Sequence, residues 1–133
     1  MNKHQAISTT IAIAAFALLG LAPADATATA TATATASSAA CGVDPHDGRL
    51  YCGNDGGAPV FHGPRPVDAV DYLDTTQSWF TCWAQGELHP GGNTTWYGTV
   101  GDRFGNFGYV PASVVHTPSA FDADPGRYGL RRC

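Results

Sequence analysis

Residues 94–113 read TTWYGTVGDRFGNFGYVPAS, and this stretch decides the fold. Its two ends, 94–100 and 107–110, are rich in β-branched and aromatic residues, which favour strands. The polar, glycine-rich segment 101–106 between them is typical of a turn that joins two antiparallel strands. Pro111 ends the second strand, because proline has no N–H to donate to a neighbouring strand. The stretch therefore predicts a β-hairpin.

Three earlier segments also predict strands: 58–61, 67–73 and 78–85. In the last of them Trp79, Thr81 and Trp83 alternate with Phe80, Cys82 and Ala84, so that both faces of the strand are at least partly covered. No apolar repeat of 3.6 residues persists for ten residues after position 40, which argues against long helices. We expect an all-β fold of about five short strands and no helix, in a small barrel or sandwich.

The hairpin resembles part of the bacterial Src-homology-3-like (SH3-like) domain. The resemblance rests on Trp96-Tyr97, followed across a Gly-Asp turn by GYVPAS at 108–113. The segment APVFHGP at 58–64 and the residues 70–73 are similar to the opening strand, long loop and second strand of that family.

The resemblance covers about residues 53–116 and implies a small SH3-like β-barrel. Two segments lie outside the usual barrel: the cysteine-closed extension before Cys52 and the C-terminal tail 117–133. We therefore predict an SH3-like core with a disulfide-stapled extension and tail.

The first 26 residues predict a cleavable secretion signal. An apolar run at 11–22 follows Lys3, and ADA at 24–26 supplies a small-x-small cleavage site. The run is shorter than the roughly 20 apolar residues of a membrane span, but it suits a signal peptide. A buried N-terminal helix is the alternative. We expect a secreted, extracellular protein without a membrane span in its mature form.

Residues 27–40 alternate Thr and Ala before ending in SSAA, and they predict a flexible spacer. Such side chains offer too little apolar area to offset the entropy lost on ordering. Tracts of this composition also occur as O-glycosylated stalks. The folded domain is therefore expected at 41–133, where about 90 residues suffice for one modest core.

All four cysteines, Cys41, Cys52, Cys82 and Cys133, lie in this domain. An exported chain with an even number of cysteines is expected to form disulfides, here two. Three pairings are possible; we favour Cys41 with Cys52 and Cys82 with Cys133. A zinc site is the weaker alternative because no C-x-x-C occurs. No metal or other cofactor is expected.

The net charge of −4 argues against nucleic acid and anionic lipid as partners. The resemblance implies instead a non-catalytic module that binds cell-wall peptides, as in peptidoglycan, or other short extended peptides. An aromatic groove would bind such a ligand. The candidate groove residues are Tyr72, Tyr97, Phe104, Phe107 and Tyr109, with Trp79 and Trp83 as weaker candidates.

These aromatic residues could instead form the core of a small barrel. Carboxylates near the predicted loops could add attraction for the amines of wall peptides, or simply be solvated. They are Asp68, Asp71, Asp74 and Asp102.

Catalysis is not expected. The predicted mature part has histidines at 46, 62, 89 and 116, but no Gly-x-Ser-x-Gly elbow is present and the cysteines are assigned to bridges. The segment DPHD at 44–47 is more typical of a turn than of a metal site, because no second histidine cluster accompanies it.

Two other functions remain open. The chain could be a secreted inhibitor or toxin-like protein that presents the disulfide-held loop 42–51 to a target. It could also be a structural component of a cell or spore surface, tethered by the spacer. We expect a monomer, and we favour the peptide-binding module because only that function draws on the barrel pattern.

Overall fold

Eight short β-strands in two antiparallel sheets dominate residues 41–133, which are the residues that the computed structural model describes. The predicted secretion signal at 1–26 and the spacer at 27–40 lie outside the described residues. The strands are β1 (Gly42–Val43), β2 (Leu50–Gly53), β3 (Ala58–Phe61), β4 (Ala69–Leu73), β5 (Gln77–Phe80), β6 (Cys82–Gln85), β7 (Thr95–Val100) and β8 (Phe107–Pro111).

The larger sheet has five strands in the order β4-β3-β8-β7-β6. Its centre is the predicted hairpin, in which β7 and β8 pair antiparallel with Gly98 opposite Tyr109. Tyr109 also pairs with Phe61 of β3 on its other side. Strands were predicted at 58–61, 67–73, 94–100 and 107–110, and all four are present with small shifts at their ends.

The smaller sheet has three strands in the order β1-β2-β5. A turn after β1 begins at Asp44, whose carbonyl oxygen accepts from the N–H of Gly48 (2.8 Å), and it returns the chain to pair as β2. Sequence patterning did not predict β1 and β2. Each is too short, and too rich in glycine or cysteine, to give a clear alternating pattern.

The predicted strand 78–85 is divided at Thr81. Its first half, β5, belongs to the smaller sheet, and its second half, β6, belongs to the larger sheet. At the bend the N–H of Thr81 donates to the carbonyl oxygen of Gly98 (2.8 Å). The chain therefore passes from one sheet to the other, and the hydrogen bonds form two sheets rather than one closed barrel.

Short helices follow the last strand, so the prediction of a helix-free domain is wrong. They are the 3-10 helix Ala112–Val114, the α-helix α1 (Ser119–Ala123) and the 3-10 helix Pro125–Tyr128. None extends beyond five residues, which is too short for an apolar repeat to reveal in the sequence. Within 41–133 no helix is long and apolar enough to cross a bilayer.

The core lies between the inner faces of the two sheets. Leu50 and Phe80 come from the smaller sheet, Val60 and Val110 from the larger, and all four are fully buried. Leu130 joins the same cluster from the tail. The tail is therefore part of the packed domain rather than an appendage to it.

Two disulfides join Cys41 to Cys52 and Cys82 to Cys133, which is the pairing favoured above. The first closes the turn between β1 and β2. The second ties the last described residue to the first residue of β6. In a domain of this size each bridge contributes about 2 to 4 kcal/mol of stability.

Candidate functional site

Three aromatic side chains cluster on the outer face of the larger sheet: Phe61, Phe107 and Tyr109. We call this surface the aromatic face. Tyr109 is the cross-strand partner of Phe61, and Phe107 lies two residues earlier on the same side of β8. The rings of Phe107 and Tyr109 meet edge to face, with their centroids 5.6 Å apart. Phe107 is 49 % exposed, and Phe61 and Tyr109 are partly exposed.

Gly98 forms the floor beside Phe107. A Cβ atom at this position would lie 2.9 Å from the Phe107 ring, 2.7 Å from Cys82 Sγ and 3.1 Å from Cys133 Sγ. The absent side chain therefore lets the Phe107 ring and the disulfide lie side by side over bare backbone. The surface is open: no enclosed pocket was found in the part of the chain that the structure describes.

The aromatic face is closed at the end where Trp96 lies. The Trp96 ring is fully buried between Phe61 and His89, with centroid distances of 6.0 and 5.8 Å. Its indole N–H donates to the carbonyl oxygen of Glu87 (2.9 Å). The exposed part of the face is therefore the part around Phe107 and Tyr109.

Tyr97 was predicted to line a surface groove, and that prediction is wrong. It lies on the inner face of β7, where its side chain is fully buried against Phe80 and Phe121. Neighbouring residues of a strand point to opposite faces, and on β7 the inward set is Thr95, Tyr97 and Thr99. Tyr97 is thus a core residue.

The Tyr97 hydroxyl belongs to a buried polar network. It donates to Asp122 Oδ1 (2.6 Å), which also accepts from Thr117 Oγ1 (2.6 Å). Burial raises the pKa of Asp122 above its ordinary value, although both hydrogen bonds act in the opposite direction. Burial, and then the bond to Asp122, raise the pKa of Tyr97. This network fastens α1 to the larger sheet.

Tyr72 and Phe104 lie at the 101–106 turn. Tyr72 is half-buried beneath the Arg103 guanidinium, which lies 4.3 Å from the centre of its ring. Phe104 is 70 % exposed at the tip of the turn. The five predicted groove residues therefore occupy three places: the turn (Tyr72 and Phe104), the aromatic face (Phe107 and Tyr109) and the core (Tyr97).

A buried carboxylate shapes that turn. Asp71 is fully buried and accepts hydrogen bonds from the backbone N–H groups of Tyr72 (2.8 Å), Arg103 (3.0 Å), Phe104 (3.2 Å) and Asn106 (2.8 Å). Burial acts to raise the pKa of Asp71, but these hydrogen bonds outweigh it and the pKa lies below its usual value. The carboxylate organises the turn as an internal anion.

Two neighbouring carboxylates are also engaged within the protein. Asp102 Oδ2 accepts from the backbone N–H groups of Asp74 and Thr75 (2.8 and 3.0 Å). Asp74 forms a two-pronged ion pair with Arg103, whose Nη2 lies 2.7 Å from Asp74 Oδ1. The hydrogen bond from Arg103 lowers the pKa of Asp74. Of the four acidic residues considered for attracting amines, three therefore brace the turn; Asp68 is exposed.

Sequence reasoning missed Phe61 as a site residue. The alternation in 58–61 could have identified it, because the inward positions Ala58 and Val60 leave Pro59 and Phe61 on the other face. On the smaller sheet it named Trp79 only as a weaker candidate and missed the exposed Tyr51 beside it. There Tyr51 pairs with Trp79, and the Arg49 guanidinium lies 4.4 Å from the centre of the Trp79 ring.

Trp83, the other weaker candidate, is almost wholly buried. Arg132 covers its ring at 4.5 Å, and its indole N–H donates to the carbonyl oxygen of Leu130 (3.1 Å). The segment 44–47 forms the predicted turn, in which Asp44 Oδ1 accepts from the N–H of His46 (2.8 Å). Among residues 41–133 no three His, Cys, Asp or Glu side chains lie close enough together to hold a metal ion.

Comparison with known proteins yields no relative: no protein-family model, no curated protein and no solved structure matches this chain. Its function therefore has to be inferred from its own residues and their geometry.

Proposed function

We propose that this protein is an exported, non-catalytic module that binds extended peptides on its aromatic face, and that cell-wall peptides are its ligands. The observation that carries the proposal is the exposed Phe107 ring, which is held edge-on against Tyr109 above the bare backbone of Gly98. Large apolar side chains in a fixed orientation are the usual anchors of peptide recognition.

An extended peptide fits an open face better than a small molecule does. Small ligands are usually enclosed in a concave pocket, whereas a peptide in an extended or polyproline conformation binds along a surface. Such a ligand has little conformational entropy left to lose on binding. The rings of Phe107 and Tyr109 are already packed against each other, so the protein also loses little freedom.

Charge favours a cationic ligand over an anionic one. The chain has a net charge of −4, and this attracts amines at long range. The attraction is diffuse, because Asp71, Asp74 and Asp102 are already paired within the protein. We therefore expect aromatic contacts, rather than a specific ion pair, to provide most of the affinity.

The proposal includes an SH3-like arrangement of the strands and export to the cell exterior. Support for the first comes from the β7–β8 hairpin and from the chain bend at Thr81 that links the two sheets. Support for the second comes from the two disulfides, which are typical of oxidising compartments.

The test is co-sedimentation of the mature protein with purified peptidoglycan. Phe107→Ala should reduce the bound fraction and raise the dissociation constant by about tenfold or more, as expected for an interface anchor. Tyr51→Ala is the matched control, since Tyr51 is a similarly exposed aromatic residue (41 %) on the other sheet. Equal binding by the wild type and Phe107→Ala would refute the aromatic face as the site.

The secreted inhibitor remains the second candidate because the loop 42–51 is rigidly braced. Besides the Cys41–Cys52 bridge, the Tyr51 hydroxyl donates to Asp47 Oδ2 (2.7 Å). An inhibitor would stay in the supernatant with peptidoglycan and would slow a target protease. Tyr51→Ala would then abolish activity while Phe107→Ala would not, which is the reverse of the pattern expected for the binding module.

A further inference from the structure

The edge of β6 is occupied by residues 131–133, which pair with it as a short parallel strand. The N–H of Trp83 donates to the carbonyl oxygen of Arg131 (3.0 Å), and the carbonyl oxygen of Trp83 accepts from the N–H of Cys133 (2.9 Å). These two bonds bracket Arg132, which is the bridge partner of Trp83. The β6–β7 and β7–β8 pairings are both antiparallel, so the parallel pairing of residues 131–133 with β6 differs from its neighbours in this sheet.

Side chains strengthen the pairing. The Arg132 guanidinium lies 4.5 Å from the centre of the Trp83 ring, a cation–π contact. Arg131 Nε donates to the carbonyl oxygen of Thr81 (3.1 Å). The occupant of this edge is thus an extended, doubly basic segment, and its contacts define what the edge recognises: backbone groups of an added strand and a cation over an indole.

The segment is held by a disulfide and is otherwise exposed to solvent. Residues 131–133 are all exposed, whereas Cys82, the other half of the bridge, is 4 % exposed. Leu130, just before the segment, is buried in the core. Residues 131–133 can therefore leave the edge without withdrawing the apolar anchor that precedes them.

We propose that residues 131–133 are a releasable strand, that the Cys82–Cys133 disulfide is its latch, and that reduction opens the edge of β6 to an extended basic peptide. With the strand gone, the N–H and C=O of Trp83 lose their partners at a sheet edge. Such an edge is a template for pairing with another strand, which is the basis of recognition by strand addition. Arginine in the incoming peptide replaces Arg132 on the Trp83 ring.

The opening step is a two-electron reduction by a dithiol. A thiolate of the dithiol attacks Sγ of Cys133, the more exposed residue of the bridge, and the S–S bond breaks with Cys82 leaving as a thiolate that takes up a proton. The second thiol of the reductant then attacks the mixed disulfide and releases Cys133 as a thiol. The protein gains two thiols, and the dithiol becomes a disulfide.

The first test uses the full chain with the substitutions Cys82→Ala and Cys133→Ala, which remove the latch and leave the Cys41–Cys52 bridge in place. Amide hydrogen exchange at Trp83 should be about tenfold faster or more than in the oxidised wild type, as expected when a paired edge opens locally. The amides of the β7–β8 hairpin serve as internal controls and should keep their protection.

The second test adds a peptide to that variant. The acetylated peptide LRRS, which repeats residues 130–133 with serine for cysteine, should restore protection at Trp83. The matched peptide LEES should not, because it reverses the charge that faces the Trp83 ring. Neither peptide should protect any amide of the oxidised wild type, whose edge is already occupied.

Three results would overturn the proposal. Trp83 could keep its protection in the folded variant, which means that the segment stays docked without the bridge. The variant could lose its near-UV circular dichroism altogether, which makes the bridge a structural clamp. LRRS could fail to protect an exposed Trp83 amide. Partial reduction of the wild type with alkylation and mass spectrometry gives an independent measurement, and opening of Cys41–Cys52 before Cys82–Cys133 would also count against the latch.

Discussion

Tyr97→Phe isolates one hydrogen bond of the buried network that fastens α1 to the larger sheet. The substitution removes only the hydroxyl that donates to Asp122 Oδ1 at 2.6 Å and leaves the ring contacts with Phe80 and Phe121 in place. A hydrogen bond to a charged group contributes about 1.5 to 3 kcal/mol, and a bond between neutral groups about 0.5 to 1.5 kcal/mol. At neutral pH we expect Tyr97→Phe to lower the free energy of unfolding by about 1.5 to 3 kcal/mol, the range for a hydrogen bond to a charged group.

The loss of stability caused by Tyr97→Phe should be larger at neutral pH than at acidic pH. Burial raises the pKa of Asp122 in the folded protein, so the contribution of this group to stability is present below its ordinary pKa of 3.8 and is lost as the pH rises through the folded value. Tyr97→Phe removes a donor that favours the ionised form, so the folded pKa rises further. The variant therefore loses more stability than the wild type between about pH 4 and pH 7.

Urea unfolding followed by tryptophan fluorescence at about pH 4 and pH 7 measures the effect. Tyr128→Phe is the control, because Tyr128 is 46 % exposed and stacks on Phe121 from outside the network. A deficit that is equal at the two pH values, or larger at the acidic one, would refute the assignment of Asp122 as an ionised acceptor of the Tyr97 hydroxyl.

Two further predictions concern the larger sheet and its turn. The pKa of Asp71 is lowered, so the stability that this carboxylate contributes is present above about pH 3.8 and is lost as the pH falls through its folded pKa. Asp71→Asn should therefore weaken the acid dependence of stability. The measurement is the free energy of unfolding between about pH 5 and pH 2. An unchanged acid dependence would contradict the role of that carboxylate. Gly108→Ala should cost about 1 to 3 kcal/mol in denaturant unfolding, because its methyl group would lie 2.7 Å from Val60 Cγ1 and would also crowd a backbone carbonyl. Gly63→Ala, where nothing lies within 4 Å of the new methyl group, is the control, and an equal loss in both variants would refute the crowding.

The secondary structure of the central hairpin was accessible from sequence because local signals agree there. Every residue of 94–100 except Gly98 is β-branched or aromatic, the turn is rich in glycine, and Pro111 marks the end. The tail gave no such signal. Its helices have five residues or fewer, and its pairing with β6 depends on residues that are about 50 positions distant in sequence.

The bend at Thr81 shows a different limit. Alternation through 78–85 predicts one continuous strand with Phe80 and Trp83 on opposite faces. In the structure Phe80 and Trp83 both join the core, so the alternation changes phase at the bend. The sheet to which each half belongs depends on its partners, β2 for the first half and β7 for the second. Those partners are set by the packing of the whole domain.

The acidic residues near the turn illustrate the same limit for the candidate site. Asp71, Asp74 and Asp102 are indistinguishable in the sequence from solvated loop carboxylates. Only the folded chain brings the backbone N–H groups of the turn to Asp71 and the guanidinium of Arg103 to Asp74. Their task within the protein therefore could not be read from composition or spacing.

The sequence by itself determined the β class, the hairpin at 94–113 and two-residue alternation along the central strands of the larger sheet. Only the tertiary structure decided which set of alternating residues faces the core. In β7 each set contains one large aromatic residue, Tyr97 in one and Trp96 in the other, so alternation alone left Tyr97 as eligible for the surface as for the interior. Tyr97 lies inside because the smaller sheet and Phe121 pack against that face, while Phe107 and Tyr109 remain on the face that this packing leaves open.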